Sequence, residues 1–317
     1  MRIDYEEESK KRNSNKKAIT FGSLGILLLS LGISPVLGFI DWRLDSLSHF
    51  RPHILLIGLI VVIISLLLNY KILFYSGIVV SLISLIILLP MFSYHTKFND
   101  TKAISLGAIN VLFNNEQKNE LIKDLKNYKF DILILSEINN KWEDSINTHF
   151  RDEYSHIIRV DNSGRDDIML LTNLNVKGYE PFFTKGNQSG LKVDIEIDNK
   201  IVTVYGIHPY SPMDNSYWSL RNKFYSDLSR EIKNKERVII AGDFNSSFWS
   251  PILKRFIESN NLHISFGLKG TYPSRMGWGG IDIDHIVSTK DINLQNKKYF
   301  SITGSDHRGV YSKFSLN

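Results

Sequence analysis

The chain has 317 residues, 43% of them apolar and none of them cysteine, so disulfides, thiolate metal sites and a cysteine nucleophile are excluded. The formal charge of +5 and pI of 9.1 mislead if read whole, because residues 100–317 carry 28 Lys+Arg against 27 Asp+Glu. The basic excess belongs to the N-terminal third, which excludes a broad cationic footprint for nucleic acid on the rest.

Three apolar runs come first. Residues 18–40 hold no charge over 23 positions, residues 54–70 none over 17, and residues 72–93 none over 22. A bilayer core takes about 20 apolar residues as helix, within a range of about 17–25. Three transmembrane helices are therefore predicted over 18–93, behind a basic cytoplasmic N-terminus of residues 1–17. Pro35 falls near the end of the first, where membrane helices tolerate a kink. Lys71 alone parts the second run from the third, which predicts a tight helical hairpin. A cleaved signal peptide is disfavoured, since the first run is long and two more follow. Arg2, Lys10, Lys11, Arg12, Lys16 and Lys17 precede the first run, whereas the first connection holds only Arg43 and Arg51. Positive-inside then keeps the N-terminus in the cytoplasm. Three crossings place the remainder outside the cytoplasmic (inner) membrane, and loss of one span reverses that. Gly22, Gly25, Gly32 and Gly38 make no convincing helix-pairing face, and no protein partner is predicted.

Residues 94–102 read as a linker and residues 103–317 as one catalytic domain. Apolar runs rich in Val and Ile predict strands at 103–111, 132–136, 167–172, 192–197, 201–207, 237–241, 281–288 and 310–314. The run at 132–136 is continuous, as expected of a strand buried on both faces. Helical periodicity predicts helices at 119–127, 217–233 and 249–260. Helices interleaved with many short strands define a layered α/β domain.

Polar residues collect where these strands end: Asn110, Glu137, His208, Asp243 with Asn245, Asp284, and Asp306 with His307. Each is bland alone. Gly242-Asp243-Phe244-Asn245 could be a turn, Glu137 a surface cap, His208 a packed loop histidine. Together, carboxylates, amides and imidazoles beside apolar strands make a plausible site for a hard cation such as Mg²⁺ or Mn²⁺, with a phosphate filling the open positions. Arg221, Asn222 and Arg308 are secondary phosphate candidates, Arg221 reading better as a solvated helix-face residue. Trp218, Tyr272, Met276 and Trp278 could line a substrate edge or simply pack.

The same residues carry a resemblance. Ala108-Ile109-Asn110-Val111, Asp131-Ile132-Leu133-Ile134-Leu135-Ser136-Glu137, Tyr205-Gly206-Ile207-His208-Pro209, Gly242-Asp243-Phe244-Asn245, Ile283-Asp284-His285-Ile286 and Ser305-Asp306-His307 occur in the order of the endonuclease/exonuclease/phosphatase (DNase I-like) superfamily, which this chain resembles over about 104–314. The stretch from Gly242 to Pro251, with Gly270-Thr271-Tyr272-Pro273, resembles a bacterial membrane-anchored branch of it. The resemblance implies a four-layered α/β sandwich, two sheets face to face with helices outside, here preceded by the three transmembrane helices. It implies that Asn110, Glu137 and Asp306 hold the metal, Mg²⁺ or Mn²⁺. Asp243 would position or deprotonate the attacking water, Asn245 hold a phosphate oxygen, and His208 donate to the phosphate or leaving group. His307 would be general base or phosphate ligand, oriented by Asp284. Asp284 is preferred to Asp282 because His285-Ile286-Val287-Ser288 follows it in the family pattern. Gly309 stands where many relatives have proline.

The expected function is metal-dependent hydrolysis of a phosphoester at the membrane surface, by a hydrolase of nuclease or other phosphodiesterase type. DNA or RNA is one substrate class; a phospholipid (sphingomyelinase-like) or a small phosphoester is the alternative. A catalytically inactive membrane-tethered binding domain is the reading from another class.

Overall fold

The computed structural model describes residues 2–89, 103–160, 167–184, 189–267 and 269–316, so the expected linker at 94–102 lies outside the described residues. The chain divides into two compact units, Met1–Phe92 and Ser93–Asn317.

The first unit is helical: α1 (Arg2–Ile33), a 3-10 turn at Ser34–Leu37, α2 (Trp42–Ser48), α3 (Arg51–Leu67) and α4 (Lys71–Leu88). The helix α1 starts well inside the basic segment and stops before Ser34-Pro35, because proline cannot donate the next backbone bond. Among the described residues, two helices are long and apolar enough to cross a membrane, Glu8–Leu37 and Lys71–Leu88. The second expected span differs. Its 17-residue helix α3 reaches only about 26 Å at 1.5 Å per residue, and it meets α2 at a 70° bend, so spans number two, or three if the bent pair counts as one. The predicted hairpin is present, with only residues 68–70 between α3 and α4. Its helices touch through small residues: a Cβ on Gly58 would sit 2.5 Å from Ser81 Oγ, and one on Gly77 would sit 3.0 Å from the Gly58 carbonyl. Gly25 and Gly32 likewise pack on Ser76 and Val80 of α4, inside the unit.

The second unit is a mixed α/β sandwich. Its strands and helices run β1 (Ile104–Asn110), α5 (Lys118–Lys126), β2 (Ile132–Ile138), α6 (Asn140–Phe150), β3 (His156–Arg159), β4 (Asp167–Thr172), β5 (Asn175–Phe183), β6 (Ser189–Ile197), β7 (Lys200–Ile207), α7 (Asn215–Glu231), β8 (Val238–Asp243), α8 (Pro251–Ser259), β9 (Leu262–Ile264), β10 (Asp284–Thr289), β11 (Ile292–Leu294), β12 (Lys298–Phe300) and β13 (Gly309–Leu316). One sheet has the order β11-β13-β1-β2-β4-β3, with β12 also on β13; the other is β5-β6-β7-β8-β10-β9.

Strand periodicity builds the layers. In β2, Ile132 and Ile134 join Val193, Val204, Ile239 and Ile286 in the core between the sheets. The alternating Leu133 and Leu135 face the other way, onto Leu121 and Leu125 of α5 and Trp142 and Ile146 of α6. That explains the continuous apolar run. Beyond the second sheet, Phe224 of α7 meets Phe182 and Tyr225 meets Phe256 of α8. Side chains of Asn139, Asp214 and Ser250 cap α6, α7 and α8. The helix α6 was overlooked in the sequence although Trp142, Ile146 and Phe150 recur every four residues. The short strands β3, β9, β11 and β12 give no local signal that separates them from loop.

Candidate active site

Chain direction gathers the polar residues. Each sheet contains one parallel pair, β1 with β2 and β7 with β8. Asn110, Glu137, His208 and Asp243 lie at the carboxyl ends of these four strands. The antiparallel neighbours begin where those strands end. Asp284 opens β10 directly opposite Asp243, and His307 stands two residues before β13, which runs antiparallel to β1. All the expected residues thus meet at one end of the sandwich.

Asn110 and Glu137 touch: Asn110 Nδ2 donates to Glu137 Oε1 at 2.7 Å and lies 3.3 Å from Asp243 Oδ2. Backbone N–H groups of Leu112 and Phe113 donate to Asn110 Oδ1 and Glu137 Oε2, both at 3.0 Å. A register break between Leu135 and Ile138, with Glu137 at φ 63°, turns its side chain to this end. Asp306 is half-buried and its carboxyl is pushed up by burial, against His307 and with the charges of Glu137 and Asp243.

Asp243, Asp284 and His307 form a buried group whose candidate ligand atoms lie within 4.8 Å of one another. His307 Nδ1 donates to Asp284 Oδ2 at 3.0 Å, which turns Nε2 toward Asp243 Oδ2 at 3.7 Å. Ser305 links this loop to β1, its hydroxyl donating to the Asn110 carbonyl and accepting from His307 N. Burial opposes a charge on His307, but Asp284 and Asp243 overcome it and raise the ring to about 10. Burial likewise opposes ionisation of Asp243, yet His307 and His208 hold its carboxyl down at about 2. His208 Nε2 lies 3.5 Å from Asp243 Oδ2 and 3.9 Å from Glu137 Oε1. Asn245, at φ 49°, accepts no strain unusual for asparagine; its N–H donates to Asp243 Oδ1 and its Nδ2 to the Pro209 carbonyl.

Asp282 and Asp284 part company. Two residues apart, they would share one face of a regular strand, but β10 begins only at Asp284. Asp282 turns instead to Lys297 at 2.7 Å, and burial pushes its carboxyl up to about 6 against that pull.

Arg221 is corrected. It is fully buried rather than solvated, because Nη1 donates to the Asn245 carbonyl at 3.2 Å beneath the site. Arg308 donates to the Ser274 carbonyl, and Asn222 accepts from Arg221. The Tyr272 ring lies 4.9 Å from that of His307. Thr271, Ser305 and Lys297 were missed as supports. Thr271 and Ser305 fall inside the motif runs but nothing local marks Lys297, and the long contacts of all three span at least 12 residues.

The donor set fits a hard divalent cation. Glu137, Asp243, Asp284 and Asp306 bring four carboxyl groups against two imidazoles, His208 and His307. The oxygen donors of Asn110, Glu137 and Asp306 suit Mg²⁺-type coordination.

Comparison with known proteins agrees with this fold. The Endonuclease/Exonuclease/phosphatase family profile matches residues 107–307. The chain belongs to that family. Among solved structures it is similar to the human Nocturnin catalytic domain with bound sulfate, at 19% identity, TM-score 0.57, covering 72% of this chain and 99% of that one. It is also similar to truncated Caenorhabditis elegans TDP2, at 14% identity, TM-score 0.56, covering 67% and 97%. A Bacteroides vulgatus endonuclease/exonuclease/phosphatase gives 15% identity, TM-score 0.58, and 68% and 100% coverage. At these identities the likeness speaks for the fold alone. No curated protein sequence matches.

Proposed function

We propose that the protein is a metal-dependent phosphodiesterase that hydrolyses a phosphoester at a membrane surface by attack of water. The observation that carries this reading is the convergence of the buried His307–Asp284 pair and Asp243 with the Asn110–Glu137 contact at one end of the sandwich. Glu137, Asn110 and Asp306 would hold Mg²⁺ or Mn²⁺, which when bound neutralises charge on the phosphoryl group.

The chain's own residues supply the rest. Asp243, held ionised by two histidines, orients the water and takes its proton. His307, held protonated, donates from Nε2 to a phosphoryl oxygen where negative charge builds. That favours phosphate ligand over general base for this ring. Asp284 fixes its tautomer. Asn245, through its second amide N–H, holds another oxygen, and His208 donates to the leaving group.

The test is hydrolysis of bis(p-nitrophenyl) phosphate with Mg²⁺ or Mn²⁺ against the same reaction in EDTA. Chelation should abolish turnover. Glu137→Ala should raise the metal concentration needed for half-maximal rate at least about 10-fold, and His307→Ala should lower kcat by about 10²–10³-fold. Turnover indifferent to both substitutions would remove this site from the reaction.

One observation favours a lipid phosphodiester over nucleic acid. Among the described residues, five of the seven exposed large apolar side chains of the catalytic unit lie on two segments flanking the site, Met213 at 74% and Tyr217 after His208, and Tyr272, Met276 at 55% and Trp278 at 70%, while Tyr179 and Ile201 lie elsewhere. Against this stands a solved neighbour, D. rerio TDP2, complexed with single-strand DNA product. Rates on plasmid DNA, RNA, sphingomyelin vesicles and inositol phosphates in one buffer rank the classes. The same proposal divides the chain into a basic tail at 1–17, a membrane anchor at 18–93, a linker at 94–102 and a catalytic domain at 103–317, with the domain on the outer side of the cytoplasmic membrane.

A further inference from the structure

We infer that Lys297 is a positioning residue of this active site, holding the backbone of Asp284 directly and the loop after Asp243 through His285. The inference rests on the reaction proposed above, in which Asp284 and Asp243 set the proton-transfer groups.

Lys297 lies in the connection between β11 and β12, strands that both pair with β13 of the first sheet. Its own backbone is fixed, since Lys297 N donates to the Phe266 carbonyl at 3.0 Å. The side chain is fully buried and reaches the start of β10 in the second sheet. There Nζ makes three contacts: 2.7 Å to Asp282 Oδ1, 2.6 Å to the Asp284 carbonyl and 3.1 Å to His285 Nδ1. An ammonium has three N–H donors and no acceptor, so these partners use all of them.

The donor-only character of Lys297 fixes the next ring. His285 Nδ1 must accept, so the ring proton sits on Nε2. That nitrogen lies 2.8 Å from the Ser246 carbonyl and donates to it. Ser246 follows Asn245, whose N–H bonds Asp243. A single cation therefore sets two catalytic segments in register, β10 at Asp284 and the Asp243–Ser246 turn. Asp282 balances its charge. A simple structural ion pair would need Asp282 alone; two of the three donors go elsewhere, to groups on either side of the site. Errors of about 1 Å in such supports cost about 10²-fold in rate.

The experiment uses the full chain in detergent, with bis(p-nitrophenyl) phosphate and Mg²⁺. Lys297→Met strands the buried Asp282 carboxylate and should lower Tm. The double variant Lys297→Met/Asp282→Asn removes that charge, so Tm should recover toward wild type. The Asp284 carbonyl and His285 Nδ1 still lack their donor, so kcat of the double variant should stay about 10–100-fold low with KM within about twofold. A double variant with wild-type kcat overturns the inference. A second measurement needs no folded variant at position 297. In long-range ¹H–¹⁵N spectra of histidine-labelled wild type, His285, identified by its loss in His285→Gln, should show the proton on Nε2 alone. A proton on Nδ1 overturns the network. The two proposals fail differently: a wild type without turnover sinks the reaction and with it any role for Lys297, whereas an active wild type beside an equally active double variant sinks only Lys297.

Discussion

His307 owes its charge to its surroundings. Burial works against an imidazolium, and only the facing carboxylates of Asp284 and Asp243 reverse that, to about 10 against an ordinary value of 6.5. Because the folded-state value is raised, the stability it contributes is fully present below about pH 6.5 and is lost as pH rises through about 10. In EDTA, the Cε1–H resonance of His307 should therefore titrate near pH 10, with Tm of the wild type falling over the same interval. A midpoint near 6.5 would remove the imidazolium from the proposed chemistry. Asp243 has the opposite sign: its depressed carboxyl contributes above about pH 3.8, and that contribution is lost as pH falls through about 2. Between those limits both groups hold the charge that the proposed reaction asks of them.

At the scale of elements, the site depends on how closely β7 and β8 approach. Gly242 sits at φ +140°, and a Cβ there would lie 2.1 Å from the Ile207 carbonyl. Side chains avoid that backbone region, and no shift of a flexible side chain relieves a clash with backbone. Gly242→Ala should cost about 3 kcal/mol or more, lowering Tm by about 6–12 °C, and should move Asp243 with it. An unchanged Tm would show that the β8 end can re-form. Here the sequence was a fair guide to placement: the Gly-Asp-Phe-Asn run after a Val/Ile strand marked both the turn and two side chains that the structure brings to the candidate site. Arg221 shows the limit. On α7 it reads as one more charged residue of an amphipathic helix, and its burial is decided by the Asn245 carbonyl, 24 residues further along the chain.

For the whole molecule, the first unit and the second call for different environments. The apolar faces of α1, α3 and α4 remain broadly exposed, with Leu67 at 76% and Ile86 at 65%, as suits a lipid solvent rather than water. The chain should stay in the membrane fraction through alkaline carbonate washing. A reporter fused after Asn317 should be active only on the outer side if the bent α2–α3 pair counts as a full crossing. Activity on the inner side would instead mean two crossings, made by α1 and α4.

The sequence by itself determined what depends on local pattern: apolar runs of bilayer length, the alternation that sends Ile134 to one face of β2 and Leu135 to the other, and the family motifs at strand ends. Those features are properties of neighbouring residues, and hydrophobic period is enough to reveal them. Only the tertiary structure decided that Asp282, two residues before the Asp284 that the family motif had already paired with His307, is claimed by Lys297, 15 residues away. The motif separates the two carboxylates in role, but the point at which the strand starts and the partner that Asp282 then finds are set by long-range packing.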